Sequence, residues 1–373
     1  MKEAFKIILI SITLFLVSDY FLGKSLLNFL EKRDIFITFD HQLKKNIENE
    51  KKFRVKNSFF SHTLKDNYKG ISYFGNRINK ICTNQFGFKS NCKNIIPSNY
   101  TDYWFIGDSF TEGVGLSYEK TFVGIFDKNY PELDIANLGV SSYSPIIYYH
   151  KIKFFLEKGL KTKNVIVFLD ISDFTDEKFR KECDGKVCNK NKSKEVDFRN
   201  TQSSFVLKKF IKDKFIFTLS FLQYGKKLFC ENFLISKCSY VYDKKFIKSN
   251  WINNFDLNLK VNKEITESFN QSIYYLDKIN DLLIKNNISF SIAIYPWPGN
   301  ILYGKKNIEY RKYFKDYCKF KCKYFIDYFD EFENKINQTN KDLIIRNYYI
   351  YGDMHFNEKG NQLIANKIIE ILN

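Results

Sequence analysis

From Tyr103 onward, short apolar runs alternate with longer stretches of helical periodicity. The runs predict buried strands, since a strand that is covered on both faces carries no polar side. They lie in the segments YWFIGDS, LDIANLGV, NVIVFLDISD and ISFSIAIY. The helical stretches are SYEKTFVGIFDKNY, SPIIYYHKIKFFLEKGL, ITESFNQSIYYLDKINDLLIKNN and KGNQLIANKIIEIL, the second with Pro145 at its start. This alternation predicts the α/β class, with a three-layer α/β/α sandwich built on a parallel sheet.

The alternation defines a main domain at 99–373 that is interrupted once. Between about 175 and 251 the chain is Lys-rich and loses its periodicity, which predicts an insertion. An insertion beside the strand ends forms a lid or a substrate-binding wall, or else a surface loop without such a role. Residues 31–98 are rich in Lys, Asn and aromatic residues with weak periodicity, and they predict an extracytoplasmic arm ahead of the main domain.

The N-terminal segment has the pattern of a membrane helix. Two lysines precede a mostly apolar run from Ile7 to Leu22, and no small-residue cleavage site follows the run. We therefore expect residues 1–30 to stay in the protein as an anchor. The run is short for a full span and contains Asp19, so the helix would be tilted or would extend toward Phe29. The alternative is a buried or interfacial amphipathic helix.

The charge balance is strongly basic. The chain has 59 Lys and Arg residues against 42 Asp and Glu, a formal net charge of +17. Such a charge suits anionic glycans, phospholipid head groups or nucleic acid. However, the lysines are spread along the whole chain, and no paired zinc ligands or concentrated basic arm mark a nucleic-acid-binding motif. We expect no nucleic-acid partner.

The eight cysteines fall into close pairs, which suits local disulfides in an oxidising compartment. The expected pairs are Cys82–Cys92, Cys183–Cys188, Cys230–Cys238 and Cys318–Cys322, although spacing alone does not fix the connectivity. Zinc is the competing interpretation, but no pair has the C-x-x-C spacing and none of the four histidines lies beside a pair. We therefore expect no metal, and we expect the bulk of the chain outside the cytoplasm.

The candidate chemistry lies at the two ends of the main domain. The segment FIGDSFTEGVG follows the first strand and puts Ser109 at the carboxyl edge of the sheet, where open α/β sheets bind ligands. The segment DMHFNEKGN near the C-terminus holds Asp353 and His355. A serine in a turn usually only makes hydrogen bonds within its loop, but an Asp and a His in the same chain are the partners that a nucleophilic serine needs.

These segments resemble the SGNH (GDSL-like) hydrolases, and the resemblance covers most of residues 99–373. It implies a flavodoxin-like fold without a cofactor, in which Ser109 is the nucleophile, His355 the general base and Asp353 the residue that orients the imidazole. It also implies an oxyanion hole made by the backbone N–H groups of Ser109 and Gly139. In these proteins the Asp of the Gly-Asp-Ser block, which corresponds to Asp108 here, is mostly a structural hydrogen-bonding residue.

Two departures from the family pattern affect the interpretation. The third block reads Asp170-Ile171-Ser172-Asp173, so Ser172 stands where the family has an oxyanion-hole Asn. Loss of such a donor typically costs about 10² to 10³ in turnover. The second departure is that Asp353 stands two residues before His355 rather than the usual three. This Asp-x-His spacing is similar to that of domains that acetylate or deacetylate bacterial envelope polysaccharides, which favours a glycan substrate. We expect Asp173 and Asp176 to orient loops.

Other residues remain open between two interpretations. Trp297 follows the strand ISFSIAIY and either stacks on a sugar or fills the core. His41, His62 and His150 are interpreted as histidines without a catalytic role.

The sequence therefore predicts a membrane-anchored, extracytoplasmic serine esterase or O-acyltransferase that acts on acyl esters, with acetyl esters of cell-envelope glycans favoured. The alternatives are a catalytically inactive glycan-binding or assembly protein on the same scaffold, and a lipid-directed esterase held near the membrane.

Overall fold

A computed structural model describes most of the chain, and the described residues are 2–31, 46–75, 77–93, 98–190, 215–232, 242, 263–303 and 308–372. The chain divides into two compact units. The smaller unit takes in residues 1–48, 74–76 and 192–234, and the larger unit takes in 49–73, 77–191 and 235–373.

The strands and helices follow the predicted alternation through the larger unit. The strands are β1 Arg54–Asn57, β2 Ser61–Leu64, β3 Lys69–Phe74, β4 Arg77–Thr83, β5 Lys89–Ser90, β6 Tyr100–Ile106, β7 Ile135–Asn137, β8 Lys161–Leu169, β9 Arg180–Cys183, β10 Lys186–Asn189, β11 Ser289–Ile294 and β12 Tyr324–Asp327. The helices are α1 Lys2–Glu31, α2 Ser109–Glu112, α3 Phe122–Asn129, α4 Pro145–Glu157, α5 Ile171–Glu177, α6 Ile216–Asn232, α7 Lys263–Lys285, α8 Pro298–Tyr303, α9 Ile308–Lys321, α10 Phe329–Ile336, α11 Lys341–Tyr348 and α12 Glu358–Leu372.

One sheet organises the larger unit, with the strand order β12-β11-β8-β6-β7-β5-β4-β3. Strands β12, β11, β8, β6 and β7 run parallel to their neighbours. In chain order these five strands give the doubly wound order 2-1-3-4-5, so the predicted flavodoxin-like parallel sheet is confirmed. Right-handed crossovers put α3 on one face of the sheet and α4 on the other, because β7 and β8 lie on opposite sides of β6.

The sheet extends further than the sequence pattern predicts. Strand β5 pairs antiparallel with β7, and β4 pairs antiparallel with β5, so residues of the predicted arm form one edge of the sheet. The predicted boundary at residue 98 therefore separates strands that belong to the same sheet. These strands are half-exposed at the sheet edge, which explains their weak periodicity.

The central strands form the core. In β6 the side chains of Trp104, Phe105 and Ile106 are fully buried, and the five residues from Val165 to Leu169 in β8 are buried as well. A buried side chain of this size stabilises the fold by about 1.5–3 kcal/mol relative to its exposed state. The burial of neighbouring residues on both faces explains why these strands are continuous apolar runs rather than alternating ones.

The predicted helix SYEKTFVGIFDKNY is split in two. A 3₁₀ turn at Tyr118–Lys120 ends at Thr121, and α3 begins after it. The Thr121 hydroxyl accepts the N–H of Gly124, which caps the new helix. A Cβ at Gly124 would lie 2.0 Å from the Tyr118 carbonyl oxygen, so the turn and the helix pack this closely only because residue 124 is glycine.

In the smaller unit, α1 includes a stretch from Glu3 to Leu26 with a mean hydropathy of 1.9, of which 6% is buried. By length and composition this helix is able to cross a membrane. Helix α6 also belongs to this unit, begins at Ile216 and lies within the predicted insertion.

The cysteines follow the predicted pairing only in part. Disulfides join Cys82 to Cys92 and Cys318 to Cys322, with Cα–Cα distances of 5.2 and 4.6 Å. Cys183 and Cys188 are free thiols, so the disulfide predicted there is not formed. In the β9–β10 hairpin Cys188 lies opposite Lys181 rather than opposite Cys183, so the two cysteines are diagonal neighbours, and their thiols interact through a hydrogen bond instead of a covalent bond. The pair Cys230–Cys238 lies outside the described residues.

Candidate active site

Ser109 stands where the strand order of the sheet reverses. Strand β6 ends at Ile106, Gly107 makes the turn, and Ser109 begins α2. A Cβ at Gly107 would lie 2.2 Å from Thr111 Oγ1 and 3.0 Å from the carbonyl oxygen of Phe168 in β8, so only glycine fits this turn. Ser109 therefore leaves the carboxyl end of β6 next to β8, at the position where doubly wound sheets bind ligands.

The structure brings Ser109, His355 and Asp353 into one hydrogen-bonded chain. Ser109 Oγ lies 2.7 Å from His355 Nε2, and His355 Nδ1 is hydrogen-bonded to Asp353 Oδ1. The backbone N–H of His355 also donates to Asp353 Oδ1 at 2.9 Å. With Nδ1 protonated toward the carboxylate, the lone pair of Nε2 faces the Ser109 hydroxyl and is able to accept its proton. This arrangement is able to generate a nucleophilic alkoxide at Ser109.

A tight loop between α11 and α12 holds the histidine and the aspartate. Tyr349 and Phe356 form a β-bridge, and Ile350 N–H donates to the carbonyl oxygen of His355 at 2.8 Å. The hydroxyl of Tyr242 accepts the N–H of Gly352 and lies 3.0 Å from the carbonyl oxygen of Asp353. Tyr242 is fully buried, and sequence reasoning missed it because it lies in the aperiodic insertion far from the motif.

The acid and the base perturb each other. Burial disfavours the charged form of Asp353, but the charge of His355 and its hydrogen bonds outweigh burial and lower the pKa of Asp353 below its ordinary value. Burial likewise opposes protonation of His355, but the Asp353 carboxylate outweighs it and raises the pKa of His355 above its ordinary value. Asp353 therefore stays ionised and stabilises the imidazolium that forms when His355 takes a proton.

Buried carboxyl groups surround the other side of Ser109. Asp108 caps α2 by accepting the N–H of Phe110, and its Oδ2 lies 3.2 Å from Ser109 Oγ. Burial, followed by the charge of Asp170, raises the pKa of Asp108 to about 7. Burial and the charge of Asp170 also raise the pKa of Asp173, which is hydrogen-bonded to the hydroxyl of Tyr148. These carboxyl groups hold the loops around Ser109, as the sequence predicts for Asp108 and Asp173.

Ser172 lies beside the site but donates its hydroxyl to a carboxylate. Its Oγ is 2.6 Å from Asp170 Oδ1 and 3.4 Å from Asp108 Oδ2. Asp170 and Asp173 form a reciprocal capping box at the start of α5, which fixes the backbone around Ser172. In this arrangement the single hydroxyl proton of Ser172 is directed to Asp170, away from an oxyanion.

Gly139 packs against the helix that carries Ser109. A Cβ there would lie 2.6 Å from Thr111 Cβ and 2.7 Å from the backbone nitrogen of Glu112. Its N–H donates to Asn137 Oδ1 at 3.0 Å, so oxyanion binding by this group requires that bond to open. The N–H of Ser109 is in the first turn of α2, where helix N–H groups have no partner within the helix. The oxyanion role of both groups stays a prediction.

A buried ion pair fixes the loop that follows Gly139. Arg54 in β1 makes a bidentate pair with Glu112, with both N–O distances at 2.8 Å. Glu112 also accepts the N–H of Ser141 at 2.7 Å, while His62 Nε2 lies 2.8 Å from the carbonyl oxygen of Ser141. Burial lowers the pKa of His62 to about 4, so its imidazole is neutral and donates through Nε2. We call Arg54, His62, Glu112 and their contacts to Ser141 the loop brace.

The predictions for the remaining residues have different outcomes. Trp297 is 2% exposed and packs near Phe110, so it fills the core, and the interpretation as a sugar platform does not fit its position. Its strand β11 ends at Ile294, at the predicted edge, and α8 begins at Pro298 directly after Trp297. His150 is buried in α4, with Nε2 3.6 Å from a Glu182 carboxylate oxygen. His41 lies outside the described residues.

Neither a family model nor a curated protein matches this sequence. Among solved structures, the chain is similar to a member of the lipolytic protein G-D-S-L family from Veillonella parvula, at 12% identity and a TM-score of 0.36, over 72% of this chain and 97% of that one. It is also similar to an acetylxylan esterase from Geobacillus stearothermophilus, at 12% identity and a TM-score of 0.37, over 74% and 94%. Because the identities and TM-scores are this low, the assignment of the fold and of the site rests on the strand order and the contacts of this chain.

The Asp353 carboxylate orients the His355 imidazole and raises its pKa, and we expect Asp353→Asn to affect both properties. The amide cannot hold His355 in the required tautomer, so kcat for ester cleavage should fall by about three to four orders of magnitude. Because Asp353 raises the pKa of His355, its loss should also move the acidic limb of the kcat/KM profile to lower pH. A pH-rate profile of both proteins measures this, and an unmoved or upward-shifted limb would contradict the assigned role.

We expect the loop brace to affect turnover more than substrate binding. His62→Phe keeps a ring against Tyr143 but removes the donor to Ser141, so kcat should fall about tenfold with KM nearly unchanged, as for an interaction that acts in the transition state. His62→Gln keeps an N–H donor and should recover most of the loss. Steady-state kinetics of the three proteins test this. Equal losses in both variants would mean that the hydrogen bond to Ser141 has no such effect.

Proposed function

We propose that this protein is an SGNH-type serine esterase or O-acyltransferase. The observation that carries the proposal is the hydrogen-bonded chain from Ser109 through His355 to Asp353, at the carboxyl end of β6. A serine, an imidazole and a carboxylate in this order supply the nucleophile, the general base and the orienting group for acyl transfer through a covalent intermediate. The resemblance of the two motifs to this family supports the same assignment.

The proposed reaction proceeds in two steps. Ser109 Oγ attacks the ester carbonyl carbon while His355 Nε2 takes the serine proton, and negative charge develops on the carbonyl oxygen. When the intermediate collapses, the C–O bond to the alcohol breaks and His355 returns the proton to the leaving oxygen. Water or a sugar hydroxyl then attacks the acyl-enzyme by the reverse sequence and releases Ser109. Hydrolase and transferase therefore use the same residues and differ in the acceptor.

The substrate in this proposal is an acyl ester, and an acetylated cell-envelope glycan is favoured. The support is the similarity of the Asp353-x-His355 segment to domains that acetylate or deacetylate such polysaccharides. The location in the proposal is a membrane surface outside the cytoplasm. The support is the membrane-length helix α1 together with the two disulfides, which form in oxidising compartments.

A second candidate is a glycan-binding or assembly protein that retains the scaffold without activity. Two observations favour it. The hydroxyl of Ser172 is directed to Asp170, and the N–H of Gly139 is bonded to Asn137, so two of the three expected oxyanion donors already have partners. An active enzyme needs the hydrogen bond from Gly139 N–H to Asn137 to open, or another donor to bind the oxyanion. Measured turnover therefore decides between the two candidates.

Acetyl release and acetyl transfer distinguish the candidates. The full-length protein in detergent should release acetate from acetylated xylo-oligosaccharides and from 4-nitrophenyl acetate, and an added sugar acceptor should divert acetyl groups if the protein is a transferase. Ser109→Ala should lower both activities by at least about 10³-fold. Ser117→Ala is the matched control because the Ser117 side chain makes no capping hydrogen bond. Glycan binding without turnover on any acetyl ester would support the inactive scaffold instead.

A further inference from the structure

Asp19 is a buried carboxylate inside an apolar helix. It lies within the membrane-length stretch of α1 and is only 3% exposed. A carboxylate in the hydrocarbon region of a membrane is costly, so one that is retained there has a partner that compensates for the lost hydration. The sequence pattern shows Asp19 only as an interruption of the apolar run.

The partner of Asp19 is the start of α6. Its Oδ2 accepts the N–H of Phe217 at 3.0 Å, and its Oδ1 accepts the N–H of Thr218 at 2.9 Å and is hydrogen-bonded to the Thr218 hydroxyl. These N–H groups belong to the first turn of α6. N–H groups in a first turn have no acceptor within their own helix, and they form the positive end of the helix dipole. The carboxylate is therefore satisfied by a helix terminus from a distant part of the chain.

The two helices are in close contact at this point. A Cβ at Gly23 would lie 2.6 Å from Ile216 Cβ and from the backbone nitrogen of Phe217. The rings of Phe15 and Phe215 are 6.2 Å apart. Contacts to positions 15, 19 and 23 follow one face of α1, because residues four apart in a helix lie on the same side. Gly23 is thus the position at which the α6 backbone approaches α1.

The level of this contact along α1 locates α6. Asp19 is seven residues before Leu26, the end of the membrane-length stretch, which corresponds to about 10 Å along a helix. If α1 crosses a membrane, the first turn of α6 therefore lies inside the hydrocarbon region and not above it.

The exposed side chains that the structure describes on α6 are apolar. Phe217, Phe221 and Phe229 are 38%, 68% and 55% exposed, and Leu222 beside them is 59% exposed. Each residue turns the helix by about 100°, so the three phenylalanines lie within an arc of about 120° and form one broad stripe along the helix. The helix has 17 residues, which is short of the roughly 20 needed to cross a membrane. A helix with these properties suits the outer part of a bilayer.

We propose that α6 is a second membrane-embedded helix that docks on α1 through Asp19 and inserts its phenylalanine stripe among lipid acyl chains. This inference rests on the proposed membrane location of α1, and it is independent of the proposed esterase activity. The insertion would then carry a membrane element in addition to its contribution of Tyr242 to the loop of Asp353.

Tryptophan reporters in lipid nanodiscs test the proposal on the full-length protein. Phe221→Trp reports on the stripe, and Leu14→Trp, at a position 61% exposed on α1, reports on the anchor. Ile284→Trp is the matched control, since position 284 is 62% exposed on α7 of the other unit. Fluorescence is compared between lipids with and without bromine on the acyl chains, after subtraction of the wild-type signal.

We expect bromine to quench the Phe221→Trp signal to within about a factor of two of the Leu14→Trp signal, because both positions lie in the hydrocarbon region. The Ile284→Trp signal should stay unquenched. Quenching at position 14 without quenching at 221 would overturn the proposal and assign the stripe to a protein partner or a second copy. Absence of quenching at both positions would overturn the membrane location of α1 as well. Ester hydrolysis by the same samples reports separately on the active site.

Discussion

The hydrogen bond between Ser109 and His355 joins residues 246 positions apart, and most features of the larger unit contribute to it. Ser109 is fixed by the turn at Gly107, where a Cβ would lie 2.2 Å from Thr111 Oγ1. His355 is fixed by a loop that closes on itself through the Tyr349–Phe356 bridge. The side chain of Asn361 in α12 accepts the N–H of Phe122 at the start of α3, which ties the helix after His355 to the β6–β7 crossover. A site assembled from both ends of the domain thus depends on the packing of the whole sheet.

Burial around this bond explains the charge states of the site. Ser109 has one proton, and His355 and Asp108 both lie within reach of its Oγ. An ionised Asp108 competes with His355 for that proton, whereas a neutral Asp108 donates to the same oxygen. Burial and the neighbouring Asp170 raise the pKa of Asp108 to about 7, which favours the neutral form below neutral pH. Asp353 is the opposite case: burial raises its pKa, but the attraction of His355 outweighs burial and the pKa is lowered.

Local pattern and motif predicted the parallel sheet and the residues around Ser109, because buried strands and a Gly-Asp-Ser turn are encoded within short segments. Contacts between distant segments were not predictable in this way. Strands β3 to β5 join the sheet through edge pairing that leaves weak periodicity, and Tyr242, Arg54 and His62 contact the site from regions without a motif. Spacing suggested a Cys183–Cys188 disulfide, but the two residues are free thiols at diagonal positions of the β9–β10 hairpin. The partner of Asp19 is nearly 200 residues away, at Thr218.

The central claim is that Ser109 is a nucleophile activated by His355. The most direct test is intact-mass measurement of the full-length protein after treatment with a fluorophosphonate, alongside Ser109→Ala and His355→Ala. We expect one adduct on the wild-type protein, mapped to Ser109, and none on either variant. A folded wild-type protein that stays unlabelled under conditions that label a known serine esterase would contradict the claim and favour a binding protein on this scaffold.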